Sequence, residues 1–110
     1  MAIHHASSGE VIDIRPLQRD LNTAITKALY KSDRLEVFRM ILLAGDQMAN
    51  HRVPGEITVQ CLEGLVDFTF EETIRALHEG DLVCLAGGVE HRLKAVEDSS
   101  VLVTILLHGT

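Results

Sequence analysis

The chain has 110 residues, two cysteines, no tryptophan and a formal net charge of −6 at pH 7. A chain of this length forms one domain and buries roughly 65% of its unfolded surface, which is enough for a core without disulfides. The acidic balance argues against nucleic acid and against an anionic membrane as partners. Because the first residues carry no signal-peptide pattern and no apolar stretch could span a bilayer, we expect a cytoplasmic protein.

Apolar residues recur in short runs separated by turn residues, and no stretch keeps a helical period. The sequence is 46% hydrophobic but only 4% aromatic, so its core must be aliphatic, which favours strands. Residues 1–9 are small and polar and predict a flexible N-terminal arm before a single domain at 10–110. About ten short strands are expected, at 11–14, 23–30, 35–43, 48–53, 57–62, 66–70, 73–77, 82–85, 89–95 and 101–107. This pattern is typical of an all-β sandwich or barrel.

Two of these strands, at residues 35–43 and 101–107, are apolar on both of their faces. A strand of a small sandwich needs only one apolar face, so the second face requires a cover. A tail segment could provide it, but a partner related by twofold symmetry does so better, which predicts a homodimer through this sheet. Arg39 lies in the first strand. Facing inward it would be a receptor for a carboxylate or phosphate, and facing outward, which is slightly favoured, an interface or surface charge.

Two stretches each open with a Gly-Asp turn and carry a histidine. Residues 45–64 read GDQMANHRVPGEITVQCLEG, and residues 80–91 read GDLVCLAGGVEH. Both resemble the motifs of the cupins, with His51 following its opening glycine at the family's spacing and His91 ending the second motif. The resemblance covers roughly residues 35–107. It implies a small single-domain cupin, a double-stranded β-helix or jelly-roll barrel, with both histidines inside one pocket.

The chain departs from the cupin pattern at positions that otherwise bind a metal. Val53 stands at the position of the second histidine and Ile57 at that of the glutamate, while Ala86 replaces a proline of the second motif. The metal site implied by the resemblance is therefore reduced to His51 and His91. Such an incomplete set would hold a divalent ion (Fe, Mn, Zn or Ni) only weakly, because catalytic sites use three protein ligands.

The pocket expected from these motifs is apolar apart from its two imidazoles. It comprises His51, Val53, Ile57, Cys61 and His91, with Cys61 at its inner end. An apolar floor suits a small organic ligand better than a hydrated cation, so the favoured function is that of a small-molecule-binding protein. The alternative is an enzyme of oxygenase or isomerase/epimerase type. It would act on a small oxygenated substrate through a weakly held metal or through His51 as a base.

Overall fold

A computed structural model describes residues 5–107, which form a short 3-10 helix followed by nine strands. The helix comprises Gln18–Thr23, and the strands are β1 (Lys27–Lys31), β2 (Leu35–Leu42), β3 (Gln47–His51), β4 (Ile57–Glu63), β5 (Leu65–Phe70), β6 (Thr73–His78), β7 (Leu82–Leu85), β8 (His91–Ala95) and β9 (Ser99–Leu106). A five-stranded sheet has the order β1-β2-β9-β4-β7, and a four-stranded sheet the order β3-β8-β5-β6. All pairings are antiparallel. The predicted all-β jelly-roll barrel is confirmed.

The N-terminal part of the chain departs from the expected strand pattern. Nine strands form within the described part of the chain instead of about ten, because residues 11–14 pair with neither sheet. Pro16 has no N–H to donate to a ladder. The next two residues, Leu17 and Gln18, donate theirs to the carboxylate of Glu63, each at 2.9 Å. The chain therefore turns into the 3-10 helix instead of continuing as a strand.

The N-terminal segment, defined as residues 6–26, lies along the outer face of the five-stranded sheet. Ala6 donates its N–H to the carbonyl oxygen of Leu29 at 2.8 Å, and Leu21 is buried. The segment therefore covers part of the second apolar face for which the sequence predicted a partner. Residues 1–4 of the predicted arm lie outside the described residues, and the flexibility of residues 1–9 remains a prediction.

The core lies between the two sheets, where alternate side chains of both point inward. Val66 and Phe68 of β5 and Val101 of β9 are fully buried, while Asp67 and Thr69, which alternate with the buried residues of β5, face outward. The remaining members are Leu42, Ile57, Val59, Cys61, Leu77, Leu85, Leu93, Ala95 and Val103. Alternation along β5 thus follows the sequence pattern. Within residues 5–107 there is no helix with the length and apolar character needed to cross a bilayer.

Candidate functional site

His51 and His91 stand opposite each other on neighbouring strands. His51 is the last residue of β3 and His91 the first of β8, and their Cα atoms are ladder partners. The two ring centroids are 5.7 Å apart and the planes meet at 86°, an edge-to-face contact. The register of the ladder shifts between Met48 and His51, so a bulge precedes the histidine. The structure therefore brings together the two histidines that the sequence places in separate motifs.

His91 is held in one orientation by its contacts, whereas His51 is exposed. His91 is only 4% exposed, and its ring stacks on Phe68 with centroids 5.8 Å apart. Its Nδ1 lies 3.0 Å from the carbonyl oxygen of Val89. Since that oxygen can only accept, Nδ1 carries the hydrogen, and Nε2 of the neutral ring keeps its lone pair. His51 is exposed and makes no hydrogen bond with any of the described residues.

The loop that follows His51 and the loop that precedes His91 are joined through their backbones. Gly88 donates its N–H to the carbonyl oxygen of Val53 at 2.8 Å. Gly87 lies so close to Pro54 that a Cβ at this position would overlap the proline's carbonyl oxygen. Contact at this distance requires glycine. The β3–β4 loop and the β7–β8 loop are therefore fixed to each other beside the histidine pair.

A cavity of about 50 Å³ lies between the imidazoles and the barrel interior. Four of the predicted pocket residues line it, namely His51, Val53, Ile57 and His91. The other lining residues are all apolar: Phe38, Met40, Met48, Val59, Leu93, Val103 and Ile105. The name "His51–His91 cavity" is used for this space.

Cys61, the fifth predicted pocket residue, lies outside the His51–His91 cavity. Its side chain does face inward, but further along β4, where the core packs over it completely. Its thiol contacts the carbonyl oxygen of Glu63 at 3.4 Å. Burial raises the pKa of Cys61 to about 11, so the group is a neutral thiol at physiological pH.

The residues around the histidine pair do not fit a catalytic metal site. Val53 and Ile57, at the positions of the missing ligands, present only methyl groups to the His51–His91 cavity. Glu56, the nearest carboxylate in the motif, is exposed. Across residues 5–107 no group of three or more His, Cys, Asp or Glu side chains is placed to hold a metal ion. Two imidazoles fall short of the three protein ligands that catalytic zinc requires.

A polar cleft of about 470 Å³ adjoins the same histidine from the outside. His91 lines both this cleft and the inner cavity. The charged and polar side chains around the cleft are Asn50, Arg52, Thr69, Glu71, Glu90 and Arg92. Arg52 and Arg92 each follow one of the two histidines in the sequence and are exposed. Their meeting with Thr69 depends on the pairing of β5 with β8, which no local pattern reveals.

Solved structures with the same fold come from several bacteria. A conserved protein of unknown function from Streptococcus pyogenes is 22% identical, with a TM-score of 0.77 over 100% of this chain and 97% of that one. A cupin superfamily protein from Desulfitobacterium hafniense is 18% identical, with a TM-score of 0.76 over 89% and 95%. A DMSP lyase from Ruegeria pomeroyi is 24% identical, with a TM-score of 0.66 over 74% and 45%. No protein-family profile and no curated protein matches the chain. At these identities the likeness shows the fold alone.

Proposed function

We propose that this chain, which has the cupin fold predicted from its two histidine motifs, binds a small organic molecule in the His51–His91 cavity. The observation that carries the proposal is the pair of imidazoles set edge to face beside an otherwise apolar space. Ligand sites of this kind combine an apolar lining with a few placed polar groups. Nε2 of His91 would accept a hydrogen bond from a hydroxyl or acid group of the ligand.

The size of the cavity limits the ligand. Pockets for drug-sized ligands measure roughly 300–1,000 Å³, far more than the 50 Å³ found here. The ligand is therefore a molecule of a few heavy atoms, or the lining moves to admit a larger one. Met40 and Met48 line the cavity, and methionine side chains repack easily because they are unbranched. The exposed ring of His51 marks the side from which a ligand would enter.

Ligand-observed NMR with a panel of small alcohols, carboxylic acids and amides tests the proposal. We expect one or more of these probes to bind the wild-type protein and to lose binding in His91→Ala. A Val53→Phe substitution should also abolish binding, because it fills the cavity while leaving both imidazoles in place. The control is His78→Ala, which removes an exposed histidine on β6.

Two outcomes would contradict the proposal. Probes that bind wild type, His91→Ala and Val53→Phe alike would be bound elsewhere. A panel that binds none of the proteins would leave the cavity as part of a scaffold without a ligand. Circular dichroism of each variant, compared with His78→Ala, separates loss of binding from loss of fold.

A second candidate function is acid–base catalysis on a small oxygenated substrate. It is favoured by the hydrogen bond between Nδ1 of His91 and Val89, because this bond leaves Nε2 free to accept a proton. A tyrosine could serve as the general acid that pairs with this base, but Tyr30, the one tyrosine of the chain, is not among the residues that line the cavity. His51 would then have to be the acid. A pH–rate profile that loses one limb in each histidine variant would favour this function over simple binding.

A metal-dependent enzyme is the third possibility. Only His51 and His91 would bind the ion, so water or substrate would have to occupy its other coordination positions. Elemental analysis of the tag-free protein decides it. About one Fe, Mn, Zn or Ni per chain, lost in both His51→Ala and His91→Ala but kept in His78→Ala, would establish a metal held by two histidines. No metal above background after growth in supplemented medium would leave the two metal-free functions.

A further inference from the structure

A second cleft, of about 530 Å³, lies between the N-terminal segment and the outer face of the five-stranded sheet. It is separate from the His51–His91 cavity and shares no lining residue with it. Two cations, Lys27 of β1 and Arg39 of β2, line it together with the carboxylates of Glu10 and Asp13 and with apolar side chains that include Ile12 and Leu29. The name "Arg39 cleft" is used for this space. Charged groups beside an apolar wall are suited to a ligand with a charged head and an apolar body.

The two cations of the Arg39 cleft stand directly opposite each other. Lys27 and Arg39 are Cα partners in the antiparallel ladder between β1 and β2, so their side chains leave the same face of the sheet. Like charges at opposed positions repel each other and destabilise the strand pair. An anion placed between the two groups would remove the repulsion.

Arg39 is also incompletely hydrogen-bonded. It is 7% exposed, and its Nη2 donates to the carbonyl oxygen of Arg15 at 2.9 Å. Its Nε is the one buried side-chain nitrogen or oxygen of the described residues that has no hydrogen-bond partner. Buried donors of a guanidinium are nearly always paired, so Nε is a donor available to an acceptor that enters the cleft.

The neighbouring carboxylates are engaged by other donors. Asp13 receives hydrogen bonds from Nε and Nη2 of Arg15 at 2.9 and 3.2 Å. Glu63 accepts from the N–H groups of Leu17 and Gln18 and from the hydroxyl of Ser100. Glu10, which also lines the cleft, accepts from the N–H of Ser7. Neither Asp13 nor Glu63 therefore supplies the missing acceptor for Arg39.

We propose that the Arg39 cleft binds a small organic anion, with a carboxylate held by Arg39 and Lys27 and an apolar body against Ile12 and Leu29. Arginine recognises carboxylates through its fork of N–H donors, and Nε is the donor left open here. Nε is buried, so a local movement around Arg39 must open a path from the cleft before a carboxylate can reach it. This site does not depend on the function proposed for the His51–His91 cavity.

Isothermal titration calorimetry with hexanoate and benzoate tests the proposal. We expect saturable binding with a Kd of about 1 mM or tighter. The uncharged analogues hexanol and benzyl alcohol should bind about tenfold more weakly, the loss expected without a charge-assisted hydrogen bond. Inorganic sulfate and phosphate should also bind more weakly, since they lack an apolar body. Equal affinity for sulfate and benzoate would overturn the assignment of an organic ligand.

Three substitutions locate the binding site. Arg39→Met keeps the length of the side chain and removes its donors, and we expect a loss of affinity of about tenfold or more. Lys27→Met should weaken binding about threefold, because the exposed ammonium is partly screened by water. Lys31→Met removes an exposed charge at the other end of β1 and should leave affinity unchanged.

His91→Ala distinguishes the Arg39 cleft from the His51–His91 cavity. Carboxylate binding should survive this substitution, and its loss would place the anion at the histidines and overturn the proposal. If Arg39→Met fails to fold, the comparison of Lys27→Met with Lys31→Met decides. Absence of carboxylate binding to wild type, with Arg39→Met shifting a monomer–dimer equilibrium, would assign the cleft to a second copy of the chain instead.

Discussion

Glu63 shows how one side chain connects the N-terminal segment to the barrel. Burial alone would raise the pKa of this carboxyl, but hydrogen bonds from Leu17, Ser100 and Gln18, with the charge of Arg39, outweigh burial and lower it. Because the folded-state pKa lies below the unfolded one, the carboxylate stabilises the fold above the unfolded pKa. That stability is lost as the pH falls through the folded pKa.

Glu63→Gln should therefore lower the free energy of unfolding at neutral pH by about 1–3 kcal/mol, since it removes the charge that three donors share. The difference from wild type should shrink on acidification below about pH 5, because the unfolded state, in which the pKa of glutamate is about 4.3, takes up the proton before the folded state does. Urea denaturation at several pH values measures the difference in the free energy of unfolding between the two proteins. Glu56→Gln, at an exposed position, is the control. A difference that stays constant from neutral to acid pH would contradict this account.

The two cysteines should differ sharply in reactivity. Burial raises the pKa of Cys61 to about 11, while Cys84 is exposed on β7. Because the thiolate is the reactive form, a thiol reagent at pH 8 should modify Cys84 rapidly and Cys61 only after denaturation. Titration of the native protein should yield one reactive thiol per chain, and none in Cys84→Ser. Two thiols reacting at similar rates in the native state would show that the core around Cys61 opens readily.

The residues of the candidate site were only partly predictable. The spacing within each motif places His51 and His91 at matching positions, and the structure sets them side by side. The hydrogen bond of His91 to Val89 and its stacking on Phe68 depend on ring orientation and on the pairing of β5 with β8. No local pattern contains that information. The same limit applies to Glu63, which in the sequence is only one half of a Glu-Gly turn.

At the scale of the elements, the turn after β4 depends on Gly64. This residue has φ of 94°, and a Cβ there would overlap Ser99 and the carbonyl oxygen of Asp98. Gly80 has φ of 93° at the turn before β7, but a Cβ there would meet nothing within 4 Å. The two glycines therefore share a left-handed backbone and differ in the space around them.

Gly64→Ala should consequently destabilise the protein more than Gly80→Ala. The left-handed conformation costs an alanine roughly 1–2 kcal/mol at either position. At Gly64 the overlap forces the backbone of the β8–β9 connection to move, which adds about 1–3 kcal/mol. Chemical denaturation of the two variants measures the difference. Equal losses would show that the β8–β9 connection yields without resistance.

Most strands were predictable because their inward and outward residues alternate or their apolar runs end at glycine turns. The strand expected at 11–14 fails for a different reason. Its apolar residues belong to an extended segment that lies along the five-stranded sheet and is not one of its strands. Period alone cannot separate these cases, because an extended chain alternates whether or not its N–H groups find a ladder.

At the scale of the whole molecule, the N-terminal segment covers only part of the outer face of the five-stranded sheet. The N-terminal segment covers the β1 and β2 side, while Leu106 and Leu82 on the outer face of the sheet remain 46% and 57% exposed. An apolar surface left beside a covered one is the kind that a second copy buries. We propose a homodimer through this part of the sheet, as the two-sided apolar strands predicted.

Leu106→Asp should dissociate such a dimer, because it places a charge in an interface that must exclude water. Sedimentation velocity should show a dimer for the wild type and a monomer for this variant. Ile74→Asp is the matched control, since Ile74 is 62% exposed but lies on β6 of the other sheet. A wild-type protein that sediments as a monomer at every concentration would exclude the dimer.

The position of β3 has a consequence for the range of molecules that can be admitted. This strand is an edge strand of the four-stranded sheet. It is hydrogen-bonded only to β8 and has a bulge just before His51. His91, by contrast, sits on a strand bonded on both sides. If the His51–His91 cavity binds a ligand larger than its own volume, as proposed, we expect the His51 side to move and the His91 side to keep its shape. The fixed imidazole of His91 would then recognise the polar group of the ligand, and movement of His51 would allow ligands of different sizes to bind.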